Sequence, residues 1–209
     1  MALRYVLMAQ LWQASYSTSM EILKAVERAV FEHAMLHDGD RVLIGASGGK
    51  DSLALSAVLV MLASRGRSIQ LGAAYVQGGH ASKPQDDQLE RIASIYEGLG
   101  IRFDVLKGES LNGQPDCYRC SSMRRKALMH HAAQHGYNKI ALGHHLDDIL
   151  TSALMNLVLR GQAGAMKPVR EYPRFGFTLI RPLAYVPEES IRRFVASRGW
   201  LAMPCSCGK

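Results

Sequence analysis

The sequence predicts an α/β fold: a doubly wound, mainly parallel five-stranded sheet with helices on both faces. Three observations carry this. Short apolar runs alternate with amphipathic helical stretches from Arg41 to Gly199, the order that builds parallel sheets. The first run breaks into Ser47-Gly48-Gly49 and then opens a helix, as a strand, a tight loop and a helix do. Chemistry-bearing segments recur where strands should end, at the edge where open α/β sheets bind ligands.

The elements follow in chain order. Thr18-Ser-Met-Glu21 has the form of a capping box, and Ile22, Val26, Ala29 and Val30 continue at helical spacing, so residues 1–40 are expected as a helical lead-in. The first strand is expected over 41–46, and its helix over 50–64 with Leu53, Ala57, Val60 and Met61 inward. A second strand, 69–76, should end in a flexible turn at Gln77-Gly-Gly-His80. A helix near 84–99 and a third strand over 101–106 come next, then an irregular loop over 107–119. Residues 121–135 read as a helix, 139–143 as a fourth strand and 147–159 as a further helix. Residues 160–177, with Gly161, Gly164, Pro168, Pro173 and Gly176, read as a long basic loop, and loops of that length inside a compact domain are usually functional. A fifth strand over 178–181 is stopped by Pro182. Pro187-Glu-Glu starts the last helix and Gly199 ends it.

A chain of 209 residues with ordinary apolar and charged fractions fits one globular domain. Its apolar start, Met1 to Trp12, lacks a small-residue cleavage site and is too short to span a bilayer, so a cytoplasmic protein without a membrane partner is expected. Net charge is +7, and residues 1–100 carry 9 Lys/Arg against 10 Asp/Glu while residues 101–209 carry 16 against 8. An excess confined to one half points to a polyanionic partner.

Chemistry begins at Ser47-Gly48-Gly49-Lys50-Asp51-Ser52. Adjacent glycines let backbone N–H groups approach an anion, the two serines add hydroxyls, and the new helix directs its positive end at the same point. This is not the Walker loop: the position of its first glycine holds Ile44, and Asp51 stands where it needs a hydroxyl. In Gly143-His144-His145-Leu146-Asp147-Asp148, two carboxylates open a helix and could, with Asp51, hold Mg²⁺ against phosphate oxygens. Adjacent histidines cannot share a face, which argues against a two-histidine zinc site. The four cysteines form two pairs, Cys117-Tyr-Arg-Cys120 and Cys205-Ser-Cys207. Their spacing leaves zinc, a redox dithiol and iron–sulfur ligation open, and Arg119, Arg124, Arg125 and Lys126 would favour thiolates.

The Ser-Gly-Gly-Lys-Asp-Ser loop resembles the pyrophosphate (PP) loop of the N-type ATP pyrophosphatases, an adenine nucleotide alpha hydrolase-like fold. The resemblance widens when Cys117-x-x-Cys120, Met123-Arg-Arg-Lys, Lys139-Ile-Ala-Leu-Gly-His-His-Leu-Asp-Asp-Ile149, Ile180-Arg-Pro-Leu-Ala184 and Pro204-Cys205 are taken in that order. Together they resemble the TtcA family of tRNA 2-thiocytidine synthases over roughly residues 20 to 207. The resemblance implies an ATP- and Mg²⁺-dependent exchange of oxygen for sulfur on a cytidine of the tRNA anticodon loop, with a [4Fe–4S] cluster held by Cys117, Cys120 and Cys205. It also implies that Ala46, Ser47, Gly48, Gly49, Lys50, Asp51, Ser52, Val76, Gly143 and His144 hold ATP. Lys50, Asp51 and Asp148 would serve catalysis, Asp51 and Asp148 the magnesium, and Arg124, Arg125, Arg160, Lys167 and Arg170 the RNA. The sulfur would come from a cysteine desulfurase or free sulfide, and a homodimer is open. Two other readings stand beside this one: a pyrophosphatase forming an amide or thiolating a small molecule, with structural zinc at the cysteines, and a non-catalytic ATP- or iron–sulfur-binding sensor.

Overall fold

β1 (Arg41–Ala46) lies inside a six-stranded sheet, and its Val42, Leu43 and Ile44 are shut off from solvent. An unbroken apolar run is what a parallel strand covered on both faces requires. The structure, a computed structural model, describes residues 2–79, 86–110 and 117–202. Around β1 run α1 (Ala2–Glu32), α2 (Lys50–Ser64), β2 (Gln70–Gly79), α3 (Asp86–Gly98), β3 (Arg102–Ser110), α4 (Cys117–Gln134), β4 (Lys139–Ala141), α5 (Leu146–Arg160), β5 (Val169–Tyr172), β6 (Phe177–Ile180) and α6 (Glu188–Ala196).

The sheet order is β3-β2-β1-β4-β6-β5, parallel throughout except for the antiparallel β5–β6 edge. From β1 the chain winds outward through β2 and β3, then returns to β4 on β1's other side. That reversal opens a crevice past the carboxyl ends of β1 and β4, where doubly wound sheets take their ligands. One core packs α1, α2, α6 and the inner face of α3 on one side of the sheet, through Ile22, Leu53, Tyr96 and Phe194 among others. A second, smaller core sets Met123, Leu128 and Ala132 of α4 on the opposite side, against Leu43, Ala74 and Ile140.

The doubly wound, mainly parallel class is the predicted one; several bounds differ. The sheet has six strands rather than five, because Val169–Tyr172 pairs antiparallel with β6 inside the stretch expected as a loop. Pro168 and Pro173 bracket it, and an edge strand tolerates such neighbours. A short 3₁₀ turn, Pro173–Phe175, joins it to β6. Thr18 is no helix start, since α1 runs through it from Ala2; the alanines, leucines and glutamines before it are good helix formers and carry the helix past the cap signal. Gln77-Gly78-Gly79 extends β2 with a register shift instead of forming a turn, and β3 likewise runs on to Ser110. Cys117 and Cys120 open α4 rather than lying in a loop. His80, Cys205 and Cys207 lie outside the described residues.

Candidate functional site

The loop after β1 is shaped by its glycines and stapled by its serines. Gly48 has φ +76°, a left-handed conformation that side chains resist, and Gly49 then takes the N-cap of α2. The Ser47 N–H donates to Ser52 Oγ at 3.3 Å, and the two hydroxyls lie 3.1 Å apart. Gly49 N–H donates to Ser47 Oγ at 3.2 Å, while Ser52 Oγ donates to the Gly49 carbonyl at 2.9 Å. Below them Ser56 Oγ donates to the Ser52 carbonyl at 2.8 Å and lies 3.0 Å from the Tyr96 hydroxyl. Tyr96 is fully enclosed, and burial pushes its pKa up to about 12. The loop is thus held in shape before any ligand arrives.

Past the ends of β1 and β4 this loop walls a cavity of about 420 Å³. Ala46, Ser47, Asp51 and Ser52 line one side; Tyr75 and Val76 come from β2, Gly143, His144 and Asp148 from the β4–α5 turn. From the other face of the sheet, α4 contributes Cys120, Arg124 and Arg125. Phosphate loop, thiol, arginines and carboxylates therefore meet in one space. Gly143 permits this closeness, since a Cβ there would lie 3.0 Å from the carbonyl carbon of Asp51.

Lys50 is not in the cavity wall. Its Nζ lies 3.0 Å from Asp51 Oδ1 and 3.0 Å from Glu188 Oε1 at the start of α6. Burial works against the ammonium, but hydrogen bonds to Glu188 and Asp51 outweigh it and raise its pKa. In return the hydrogen bond from Lys50, helped by Arg192, holds the Glu188 carboxyl down to about 2. Gly48 and Gly49 also stand outside the wall, and act through backbone shape.

Two neighbouring histidines play different parts. His145 is buried, its Nε2 lying 3.7 Å from Asp51 Oδ1 and 3.6 Å from Asp148 Oδ2, its Nδ1 3.5 Å from Asp147 Oδ2. It sits among three carboxylates from two helices, with an Nδ1 that has no hydrogen-bond partner, a position the sequence reading gave to neither histidine. Asp148 accepts the His145 N–H at 2.9 Å, and Asp147 accepts the Glu188 N–H at 2.8 Å. His144 lines the cavity with a buried Nδ1 that has no hydrogen-bond partner. Burial, then the Arg181 and Arg125 charges, push its pKa down to about 4, so it is neutral at neutral pH.

Of the basic residues singled out for RNA, Arg124 and Arg125 reach the cavity and three do not. Arg160 is exposed in the last turn of α5. The Lys167 carbonyl accepts a hydrogen bond from Arg181, and Arg170 lies exposed with its guanidinium 5.1 Å from the Tyr172 ring centroid. The sequence reading missed Arg181 as a site group. It is buried, with an Nε that lacks a partner, and burial followed by the charges of Arg125 and Arg170 lowers its pKa to about 10. Glu188 was missed as well. Cys120 is buried against the cavity and Cys117 stands one turn before it. No cluster of three or more His, Cys, Asp or Glu spaced to hold a metal ion exists among the described residues.

A PP-loop domain model matches residues 18–201. The chain is 36% identical over 197 residues to the tRNA-cytidine(32) 2-sulfurtransferase of Deinococcus radiodurans, covering 90% of this chain and 64% of the relative. Against that of Bdellovibrio bacteriovorus it is 33% identical over 199 residues, with 91% and 75% covered. The chain thus spans between 59% and 75% of the length of the first four curated relatives. Among solved structures, the U34-tRNA thiolase NcsA from Methanococcus maripaludis with its [4Fe-4S] cluster superposes with a TM-score of 0.77 at 21% identity, over 93% of this chain and 67% of that one.

Proposed function

This chain belongs to the PP-loop family that includes the tRNA-cytidine(32) 2-sulfurtransferases, and from that premise we propose that it is an ATP-dependent sulfurtransferase replacing the C2 oxygen of a tRNA cytidine with sulfur. One observation carries the reading. The stapled phosphate loop, the Cys120 thiol and the Arg124–Arg125 pair wall a single cavity.

ATP would lie with its phosphates on the Gly48-Gly49 turn and the start of α2, where backbone N–H groups and the helix dipole favour anions. Ala46, Val76, Gly143 and His144 would border the nucleoside. Asp51 and Asp148 would hold Mg²⁺, a cation that needs only one or two carboxylates once phosphate oxygens and waters complete its shell. The cytidine C2 oxygen then attacks the α-phosphorus and pyrophosphate leaves. Sulfur bonds to C2, and AMP departs with the former carbonyl oxygen. Arg124 and Arg125 would offset the charge on the phosphoryl group, and Lys50 would stand beside the departing pyrophosphate.

The thiols fit an iron–sulfur group: Cys120 lies at the cavity and Cys117 one turn earlier on the same helix. With Cys205 they would hold a [4Fe–4S] cluster, which when bound presents the sulfur to be transferred. The partner is tRNA at its anticodon loop; free sulfide would supply the sulfur directly, whereas a cysteine desulfurase would supply it as a persulfide whose outer sulfur a two-electron thiol reductant releases as sulfide.

Nucleosides from the tRNA of a deletion strain, analysed by mass spectrometry, should lack a thiolated cytidine that the wild-type gene restores. Cys120→Ala protein, purified without oxygen, should lose iron and acid-labile sulfide and fail to restore it while still binding ATP. Full restoration by Cys120→Ala would sink the assignment.

A further inference from the structure

Tyr172 and Phe177 face one another across the β5–β6 ladder with ring centroids 5.2 Å apart, and Phe175, in the turn between them, stacks on Phe177 at 6.1 Å. Phe177 is buried in the smaller core, whereas Phe175 is 61% exposed. The stack therefore ends in an open ring. One exposed ring would mean little by itself, but its neighbours give it a context.

Cations surround it. Residues 162–181 carry Lys167, Arg170, Arg174 and Arg181 against Glu171 alone, and strand alternation puts Glu171 on the face opposite Arg170 and Tyr172. The Arg170 guanidinium lies 5.1 Å from the Tyr172 ring centroid, within reach of a cation–π contact, and Arg174 is exposed beside Phe175. Arg170 pairs with Leu179, which follows Phe177 by two residues on the same face of β6 and lines the cavity. Two strand residues span about 7 Å, so the stack begins next to the cavity wall.

This chemistry selects the partner. A stable protein partner would cover about 800 Å² of this chain, far more than one ring offers. Rings interleaved with arginines suit an unpaired nucleic-acid strand, with bases on the rings and phosphates on the cations. We propose that the open face of Phe175 is the stacking platform for an unpaired nucleobase flanking the cytidine in the cavity, with Arg170 and Arg174 on the adjoining phosphates. Pinning that base holds the loop splayed while its neighbour enters the cavity, so the platform acts on binding and not on the transfer of sulfur. The identity of the strand as tRNA rests on the thiolation reading, from which the experiment separates the stack.

In enzyme purified without oxygen, Phe175→Ala should raise Kd and KM for tRNA about tenfold. The kcat at saturating tRNA and the ATP affinity should stay unchanged, and the thermal midpoint should stay within a few degrees. Phe175→Trp should keep the wild-type KM, and Phe175→Leu, apolar but without a flat ring, should behave as the alanine variant does. Because Phe175 carries no charge, the salt slope of tRNA binding should hold its wild-type value in all three. A wild-type KM in Phe175→Ala, or equal affinities for the leucine and tryptophan variants, overturns the proposal and leaves the thiolation reading standing. Binding of tRNA through Phe175 with no sulfur transferred overturns that reading alone, and a wild-type chain that binds no tRNA overturns both.

Discussion

His144 lines the cavity with a buried Nδ1 that no hydrogen bond satisfies. Its place at a strand end beside two aspartates marks it for the site; its protonation depends on what folds around it. Because burial and nearby arginines lower its folded pKa to about 4, the unfolded chain binds the proton more readily between that value and the ordinary 6.5. Stability from this group is then complete above pH 6.5 and declines as pH falls toward 4, by about 2–3 kcal/mol. Urea unfolding at pH 7, 5.5 and 4.5 should show His144→Gln losing less stability on acidification than the wild type; parallel losses would contradict the buried neutral imidazole. Lys50 makes a complementary case. The Gly-Gly-Lys-Asp-Ser spacing is local and identifies the lysine, but its Glu188 partner comes from the far end of the chain, and no spacing rule connects them. Lys50→Ala should weaken ATP binding measured by calorimetry and leave iron and sulfide content unchanged, the reverse of Cys120→Ala.

At the scale of elements, the close approach of β4's end to α2 is what makes the cavity one space. Gly143→Ala would push a methyl group against the Asp51 backbone, and the first turn of α2 would shift with the phosphate loop on it. ATP affinity should fall at least about tenfold, since a lost backbone-positioned contact is worth more than 1.4 kcal/mol, while the thermal midpoint moves only a few degrees. Unchanged affinity would mean the loop tolerates displacement. β1 and α2 were legible because an apolar run, two glycines and an amphipathic stretch punctuate the chain at their ends. The start of α4 was not, because the cysteine pair drew attention as a loop motif; Pro115-Asp116 before it is a helix-start signal in its own right. β5 escaped for a different reason. Four residues between prolines are too short for alternation to register, and only the antiparallel ladder to β6 makes them a strand.

Over the whole molecule, the charge asymmetry visible in composition becomes a surface. The second-half excess of Lys and Arg resolves partly into Arg125, Arg170 and Arg181, which influence one another across α4, β5 and the end of β6. Arg181 is buried and Arg125 lines the cavity, whereas Arg170 stands on the outer strand, so positive potential extends from the sheet edge into the site. Holding like charges together costs stability, and a polyanion recovers that cost. A tRNA crossing β5 to place one nucleotide in the cavity would release counterions in proportion to the phosphates neutralised. Replacing Arg125 and Arg170 by Gln should therefore lower the slope of log affinity for tRNA against log salt by about 1.4, at roughly 0.7 for each charge on a single-stranded segment. ATP affinity supplies the control for Arg170→Gln alone, which should leave it unaltered because that residue lies outside the cavity wall. A salt slope unchanged in the double variant would move the RNA path off this edge. A slope lost together with ATP affinity in Arg170→Gln would mean that β5 supports the nucleotide site rather than the RNA.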